Sequence, residues 1–320
     1  MGLHNKTVVV EFILDGLTES AKLKCILFVF FFFIYILTLF QNAGLMVVIS
    51  MDRKLHTPMY NFLRHLSFLD ICYSSSITIR MLMDFLAHER SISVAGCGFQ
   101  MLSYTGFGVT ECFLLAAMSY DRYVAICHPL SYLQIMNRQT ILVLLVFSYI
   151  GSSLNAFVET GLSIFHLDFC EERPYVHHFY CDVIALIEIS CGDTRLNQMI
   201  LFSFVSFIEF SSLLVILMSY FYIFISVLRI RSSKGRQKAF STCASHLVVV
   251  TLFYATVMFM YLRPSTAYSL EQDKVVSVFY TIVIPFLNPF IYSLRNHDVK
   301  TAAKKLGISL LKKVRSFAIP

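Results

Sequence analysis

Asp121 and Arg122 stand side by side in "MSYDRYVAICHPL", residues 118–130, at the end of a long apolar run. An acid and a base at a water boundary can hold each other or trade partners cheaply, because water, another side chain or a bound protein can replace either one. Asp70 and Glu111 each interrupt an apolar stretch. A carboxylate near the centre of a bilayer costs at least about 2.5 kcal/mol by insertion scales, so it must be paired, hydrated or functional. Two such groups facing each other repel unless a cation or a proton lies between them, and a shared proton is the plainer of the two. Cys97, Cys170, Cys181 and Cys191 can form disulfides in three pairings. His177 and His178 make a metal site the alternative to stapling, although their spacing matches no zinc pattern. His65, Asp70 and His246 form no nucleophile, base or metal-triad motif, so no enzymatic chemistry is expected.

Membrane helices must position these groups. Of 320 residues, 57% are hydrophobic and 14% charged, far more apolar than an average soluble domain. The apolar residues come in blocks of about 20, the helix length that crosses a hydrocarbon core of about 30 Å. Seven blocks fall at about 25–50, 58–80, 97–121, 140–160, 196–227, 240–262 and 273–293. Arg53, Lys54 and Arg64, then Arg122 and Arg138, then Arg229, Arg231, Lys234, Arg236 and Lys238, and finally the tail carry most of the basic charge. The positive-inside rule makes those loops cytoplasmic, with the amino terminus outside and the carboxyl terminus inside. The expected organisation is an extracellular arm at 1–24, a seven-helix domain at 25–293, and a cytoplasmic helix and tail at 294–320. In that tail Val299, Ala302, Ala303 and Leu306 recur at helical spacing with Lys300, Lys304 and Lys305 between them, as in a short amphipathic helix on membrane lipid. The net charge of +6 then belongs to the cytoplasmic face, and no nucleic acid is expected as a partner. Asn5-Lys6-Thr7 is a glycosylation sequon. The first 24 residues are too polar for a cleavable signal, so the first span is expected to direct insertion. The four cysteines named above fall on the oxidising side.

Five segments in order, "LHTPMY" at 55–60, "MSYDRYVAICHPL", "SY" at 219–220, "KAFSTCASHL" at 238–247 and "PFLNPFIYSLRN" at 285–296, carry a resemblance to odorant receptors. These are a branch of the rhodopsin-like G-protein-coupled receptors, and the likeness runs from Asn42 to the start of the tail. It implies an all-α, seven-transmembrane-helix bundle in the plasma membrane that responds to a small-molecule odorant. It implies coupling to a heterotrimeric stimulatory G protein, and so to adenylyl cyclase and cyclic AMP. Arg122 would be held by Asp121 at rest and turn to the G protein when helix six swings outward, meeting Tyr220 and His246. Asn288, Pro289 and Tyr292 of "NPFIY" would bend helix seven, Asp70 and Glu111 would hold a sodium ion as the one possible cofactor, and Cys97–Cys181 and Cys170–Cys191 would be bridged.

Helical spacing places Tyr104, Gly108, Glu111, Leu115 and Arg122 on one face of the third span. His246, Val250, Tyr254, Met258 and Tyr261 share a face of the sixth, and Val278, Thr281, Pro285, Asn288 and Tyr292 one of the seventh. The expected ligand lining is Tyr104, Thr105, Gly108, Val109, Phe204, Val205, Ile208, Tyr254, Met258, Tyr261, Val278 and Thr281, which suits a small, neutral, partly hydrophobic molecule. No acid is expected to hold an amine there, and Glu209 faces either a neighbouring helix or the cavity.

The chain departs from the family pattern in places. It has no Trp, with Tyr149 where the family usually has one, Asn61 where an aromatic is usual and Ala255 where Gly is common. A transporter would show internal repeats or interrupted helix pairs, and a channel a filter-like loop; the sequence has none of these.

Overall fold

In the computed structural model, which describes residues 9–261, 270–295 and 297–318, the apolar blocks fold as helices. In lipid a backbone must satisfy its own hydrogen bonds, and a helix does so within one segment. The helices are α1 (Ala21–Met51), α2 (Pro58–Leu86), α3 (Val94–Cys127), the short α4 (Tyr132–Ile135), α5 (Arg138–Gly161), the short α6 (Val183–Glu188), α7 (Arg195–Leu228), α8 (Ser233–Tyr261), α9 (Leu270–Val278), α10 (Ile284–Arg295) and α11 (His297–Ala318). A π segment, Phe279–Val283, joins α9 to α10, so the seventh span is one helix with a widened turn. Six helices among the described residues are long and apolar enough to cross a membrane; α2, with Arg64, Asp70, Arg80 and Asp84 along it, is long enough but falls outside that group. The expectations for Asn5 and for the Tyr261 side chain lie outside the described residues.

Local chemistry sets the helix starts. Pro58 opens α2, where its missing N–H is no loss. The Ser93 hydroxyl accepts the Gly96 N–H at 3.1 Å at the start of α3, and Asn137 accepts the Thr140 N–H at 2.9 Å at the start of α5. The side-chain distribution is that of a lipid-solvated bundle. Phe33, Phe40, Phe147 and Phe207 are exposed, whereas Asn42, Asp70, Glu111 and His246 are buried. Helix α3 sits centrally, packed on α2, α5 and α7. Polar contacts fix it there, Thr110 to Ser152 of α5 at 2.6 Å and Gln100 to the Ser76 carbonyl of α2 at 3.1 Å. Tyr149, in the place of the usual Trp, hydrogen-bonds His65 at 3.1 Å.

A three-stranded sheet adds to the expected all-α bundle. Strand β1 (Glu11–Leu14) pairs antiparallel with β2 (Ser91–Ser93) and parallel with β3 (Tyr175–Val176), in the order β2-β1-β3. The segment before α1 is thus a strand laid over one end of the bundle, with Phe12 and Leu14 buried and Phe12 edge-on to Phe169. Charges clamp it: Arg173 binds Glu11 at 2.7 Å and also Glu89, Arg90 binds Glu19 at 2.8 Å, and Lys274 binds Asp15 at 2.5 Å. Disulfides Cys97–Cys181 and Cys170–Cys191, with Cα atoms 5.5 and 6.1 Å apart, stitch the α5–α7 connection at this same end.

Candidate ligand cavity and inner switch

Below the sheet lies a cavity of about 610 Å³, part of it open to the surroundings, bounded by α2, α3, α5, α7, α8 and the π segment. Val183, from the start of α6, roofs it. Asp182 caps that short helix, accepting the Ile184 N–H at 2.9 Å, and its other oxygen accepts the hydroxyls of Tyr104 and Tyr180, each at 3.4 Å. Tyr180 and Tyr280 are themselves hydrogen-bonded. Burial lifts the Asp182 carboxyl above the usual carboxylate range, against the pull of its N–H and hydroxyl donors. The roof is tied to the disulfide, because the Cys181 N–H donates to Gln100 at 3.0 Å.

Six of the expected lining residues reach the cavity: Tyr104, Thr105, Gly108, Val109, Val205 and Ile208. The others are placed elsewhere. Phe204 is 38% exposed on the outside of α7. Tyr254 is buried in the packing between helices, and Phe253 and Val257 line the cavity in place of Tyr254 and Met258. That is a turn of one residue, about 100°, along α8. Thr281 is buried with its hydroxyl donating to the Ser277 carbonyl at 2.6 Å, Val278 is half-buried, and Tyr280 lines the cavity instead. The π segment carries an extra residue in its turn, so a regular helical spacing drawn through it misaims these side chains.

The lining also contains residues that the spacing did not reach: Tyr73, Cys112, Glu159 and Glu209. Glu209, left open between a neighbouring helix and the cavity, lines the cavity, and Glu159 does so as well, so acids do stand where none was expected to hold an amine. Glu159 accepts the Asn155 amide at 2.9 Å. Glu209 Oε1 faces the Cys112 thiol at 3.6 Å, and its Oε2 has no partner among the described residues. A charge inside an apolar run was the signal for both, but it does not say which way the helix turns that charge.

Beneath the cavity the Asn288 amide donates to Asp70 at 2.9 Å and to Glu111 at 3.4 Å. Asn42 of α1 joins from the side, donating to the Pro285 carbonyl at 3.1 Å. Asp70 Oδ2 is buried and without a partner among the described residues. Two carboxyls, one of them with an unpartnered oxygen, are hard donors, and they fit a sodium ion in chemistry. Pro289 lies inside α10, where it removes a backbone donor next to this cluster.

At the other end from the sheet, Asp121 is buried and Arg122 half-buried. They form no ion pair among the described residues, which corrects the expectation that Asp121 holds its neighbour directly. Consecutive residues on a helix point about 100° apart and do not face each other. Asp121 instead accepts the Tyr132 hydroxyl of α4 at 2.8 Å. The Arg122 Nε, buried, has no partner among the described residues. Tyr220 and His246 are hydrogen-bonded at 2.8 Å with their rings stacked, joining α7 to α8. The charge of Arg122 reaches Tyr220, His246 and Tyr292. Tyr292 is buried with its hydroxyl unpartnered among the described residues.

In the loop under the sheet, His178 contacts Ser277 at 3.2 Å. Burial, helped by the Lys274 ammonium, pushes its imidazole down to about 3.

Residues 31–310 match the family model described as olfactory receptor. Over 306 residues the chain is 50% identical to olfactory receptor 5AR1 of Mus musculus, covering 96% of this chain and 98% of that protein. It is 48% identical over 306 residues to olfactory receptor 5AR1 of Homo sapiens, covering 96% and 98%. Against olfactory receptor 5AP2 of Mus musculus it is 50% identical over 307 residues, covering 95% and 96%.

Proposed function

The chain belongs to the olfactory receptor family, and from that premise we propose that an odorant in the cavity under the sheet biases the Asp121–Arg122 end toward a state that binds a stimulatory G protein. The sheet end then faces outside with the amino terminus, and the Arg122 end faces the cytoplasm of a multi-pass plasma-membrane receptor. One observation carries this reading: polar groups recur in the bundle as the Asp70–Asn288–Glu111 set and the Tyr220–His246 pair, with buried Tyr292 near enough to feel the charges of Glu111, Asp70 and Arg122. Buried polar groups in an apolar bundle are costly unless each has a partner, and a set in which several lack one among the described residues supports two arrangements close in free energy.

A ligand shifts such an equilibrium only by binding one arrangement better than the other. The cavity touches α3, α7 and α8, whose far ends carry Arg122, Tyr220 and His246, so a ligand that alters helix spacing above alters those contacts below. Arg122, with its Nε unmatched, is free to take a carbonyl or carboxylate of the G protein. Asp70 and Glu111 would hold a sodium ion that favours the resting arrangement. The test is nucleotide exchange on an added stimulatory G protein, with cyclic AMP as the cellular readout. Ligand-dependent exchange is the expected result; ion flux without any G protein would overturn it in favour of a channel or transporter.

A further inference from the structure

We infer that the odorant is a small amine whose nitrogen is held by the Glu209 carboxyl, an inference that rests on the cavity being the ligand site. Among the described residues the lining carries two carboxyls, Glu159 and Glu209, and no Lys, Arg or His. The two acids differ in what they still need. Glu159 already accepts the Asn155 amide at 2.9 Å. Glu209 is only 3% exposed, its Oε1 meets a thiol at 3.6 Å, and its Oε2 has no partner among the described residues. A thiol is a weak donor, so this carboxyl is close to unsatisfied on both oxygens. A buried acceptor without a donor is costly to keep, and more so when charged. An amine entering the cavity supplies the missing N–H and the compensating charge together.

The rest of the wall fits the same class. Tyr73, Tyr104, Phe253 and Tyr280 put four aromatic side chains in the wall, a composition that suits both a cation and an apolar body. A carboxylic acid would bring a third negative group into a poorly screened space where no base among the described residues meets it. An alcohol can give Oε2 one hydrogen bond but no charge, which makes it the informative comparison.

The experiment uses the full-length chain in lipid nanodiscs and reads ligand-induced shifts in the thermal unfolding midpoint, so no G protein is involved. The probes are matched amines, alcohols and acids on phenylethyl, isoamyl and cyclohexylmethyl skeletons. At least one amine is expected to stabilise the chain at concentrations about tenfold or more below its alcohol, and the acids not at all. Glu209→Gln keeps the shape and is expected to remove the amine's lead, weakening it by about tenfold while the alcohol stays within about threefold. The wild-type ranking decides alone if that variant does not fold. An acid that binds best, no shift with any amine, an alcohol equal to its amine, or an amine lead that survives Glu209→Gln would each overturn the inference. Amine binding without nucleotide exchange would instead sink the signalling reading and leave this one standing.

Discussion

The Asn288 amide donates to the Asp70 carboxyl at 2.9 Å, joining α10 to α2 beneath the cavity through a bond between fully buried groups. Removing one partner of a buried hydrogen bond to a carboxyl costs about 1.5–3 kcal/mol. Asn288→Ala is therefore expected to lower the unfolding midpoint in nanodiscs clearly. A midpoint unchanged by this substitution would mean that the bond adds nothing. The same pair tests the sodium proposal. Wild type is expected to melt higher in sodium chloride than in choline chloride, and Asp70→Asn to lose that difference; equal midpoints for wild type in both salts would leave the shared proton as the better account.

At the far end of α3 the bond from Tyr132 to Asp121 anchors α4, while Arg122 acts on both through its charge and forms no ion pair with Asp121 among the described residues. Arg122→Ala is expected to abolish nucleotide exchange with ligand affinity kept within about tenfold, since the residue lies at the opposite end from the cavity. Undiminished exchange would refute its role. Tyr132→Phe removes one hydrogen bond to an acid, worth about 1.5 kcal/mol, and is expected to raise ligand-independent exchange by about tenfold if that bond belongs to the resting state. A basal rate equal to wild type would show that the bond does not distinguish the states.

The spans and the Arg122 segment were legible because their signals are long or ordered: apolar blocks of about 20 residues, and five motifs in sequence. The sheet was not. Strands of two to four residues drawn from three distant segments have too few positions to show an alternation, so the segment before α1 read only as an extracellular arm. The cavity was half legible for a different reason. On α3 the helix is regular, and Tyr104, Thr105, Gly108 and Val109 all reach the void; on α8 a one-residue turn, and in the seventh span a π segment, moved the lining to Phe253, Val257 and Tyr280. Glu159 and Glu209 escaped because the cost of burying an acid says only that it must meet something, not where it points.

Gly108 opens the cavity at α3. A Cβ built there would stand 3.5 Å from Tyr73 Cε2, an ordinary contact, so the backbone has room for a side chain. The further atoms of a leucine must then enter the void. Gly108→Leu is expected to abolish odorant responses with surface expression intact, measured by cyclic AMP and surface labelling in the same cells. Unchanged agonist potency would sink the cavity as the ligand site.

His178 lies buried under the sheet against Ser277, Phe179 and Tyr180, with its imidazole held down to about 3 by burial and by Lys274. The folded chain therefore keeps it neutral at pH 5, whereas an unfolded chain protonates it below about 6.5. The unfolded state binds more protons across that window, so stability falls as pH drops through it, by up to about 1.4 kcal/mol per pH unit. Asp15 on the facing arm does not oppose this. Burial raises its carboxyl, but the Lys274 hydrogen bond and charge outweigh that and hold it below the usual carboxylate range, so its own contribution is lost only at lower pH. His178→Gln keeps a hydrogen-bonding group toward Ser277 and removes the titration. Its unfolding midpoint is expected to fall less than that of wild type between pH 7 and pH 5, and parallel declines in the two proteins would place the acid sensitivity in other groups.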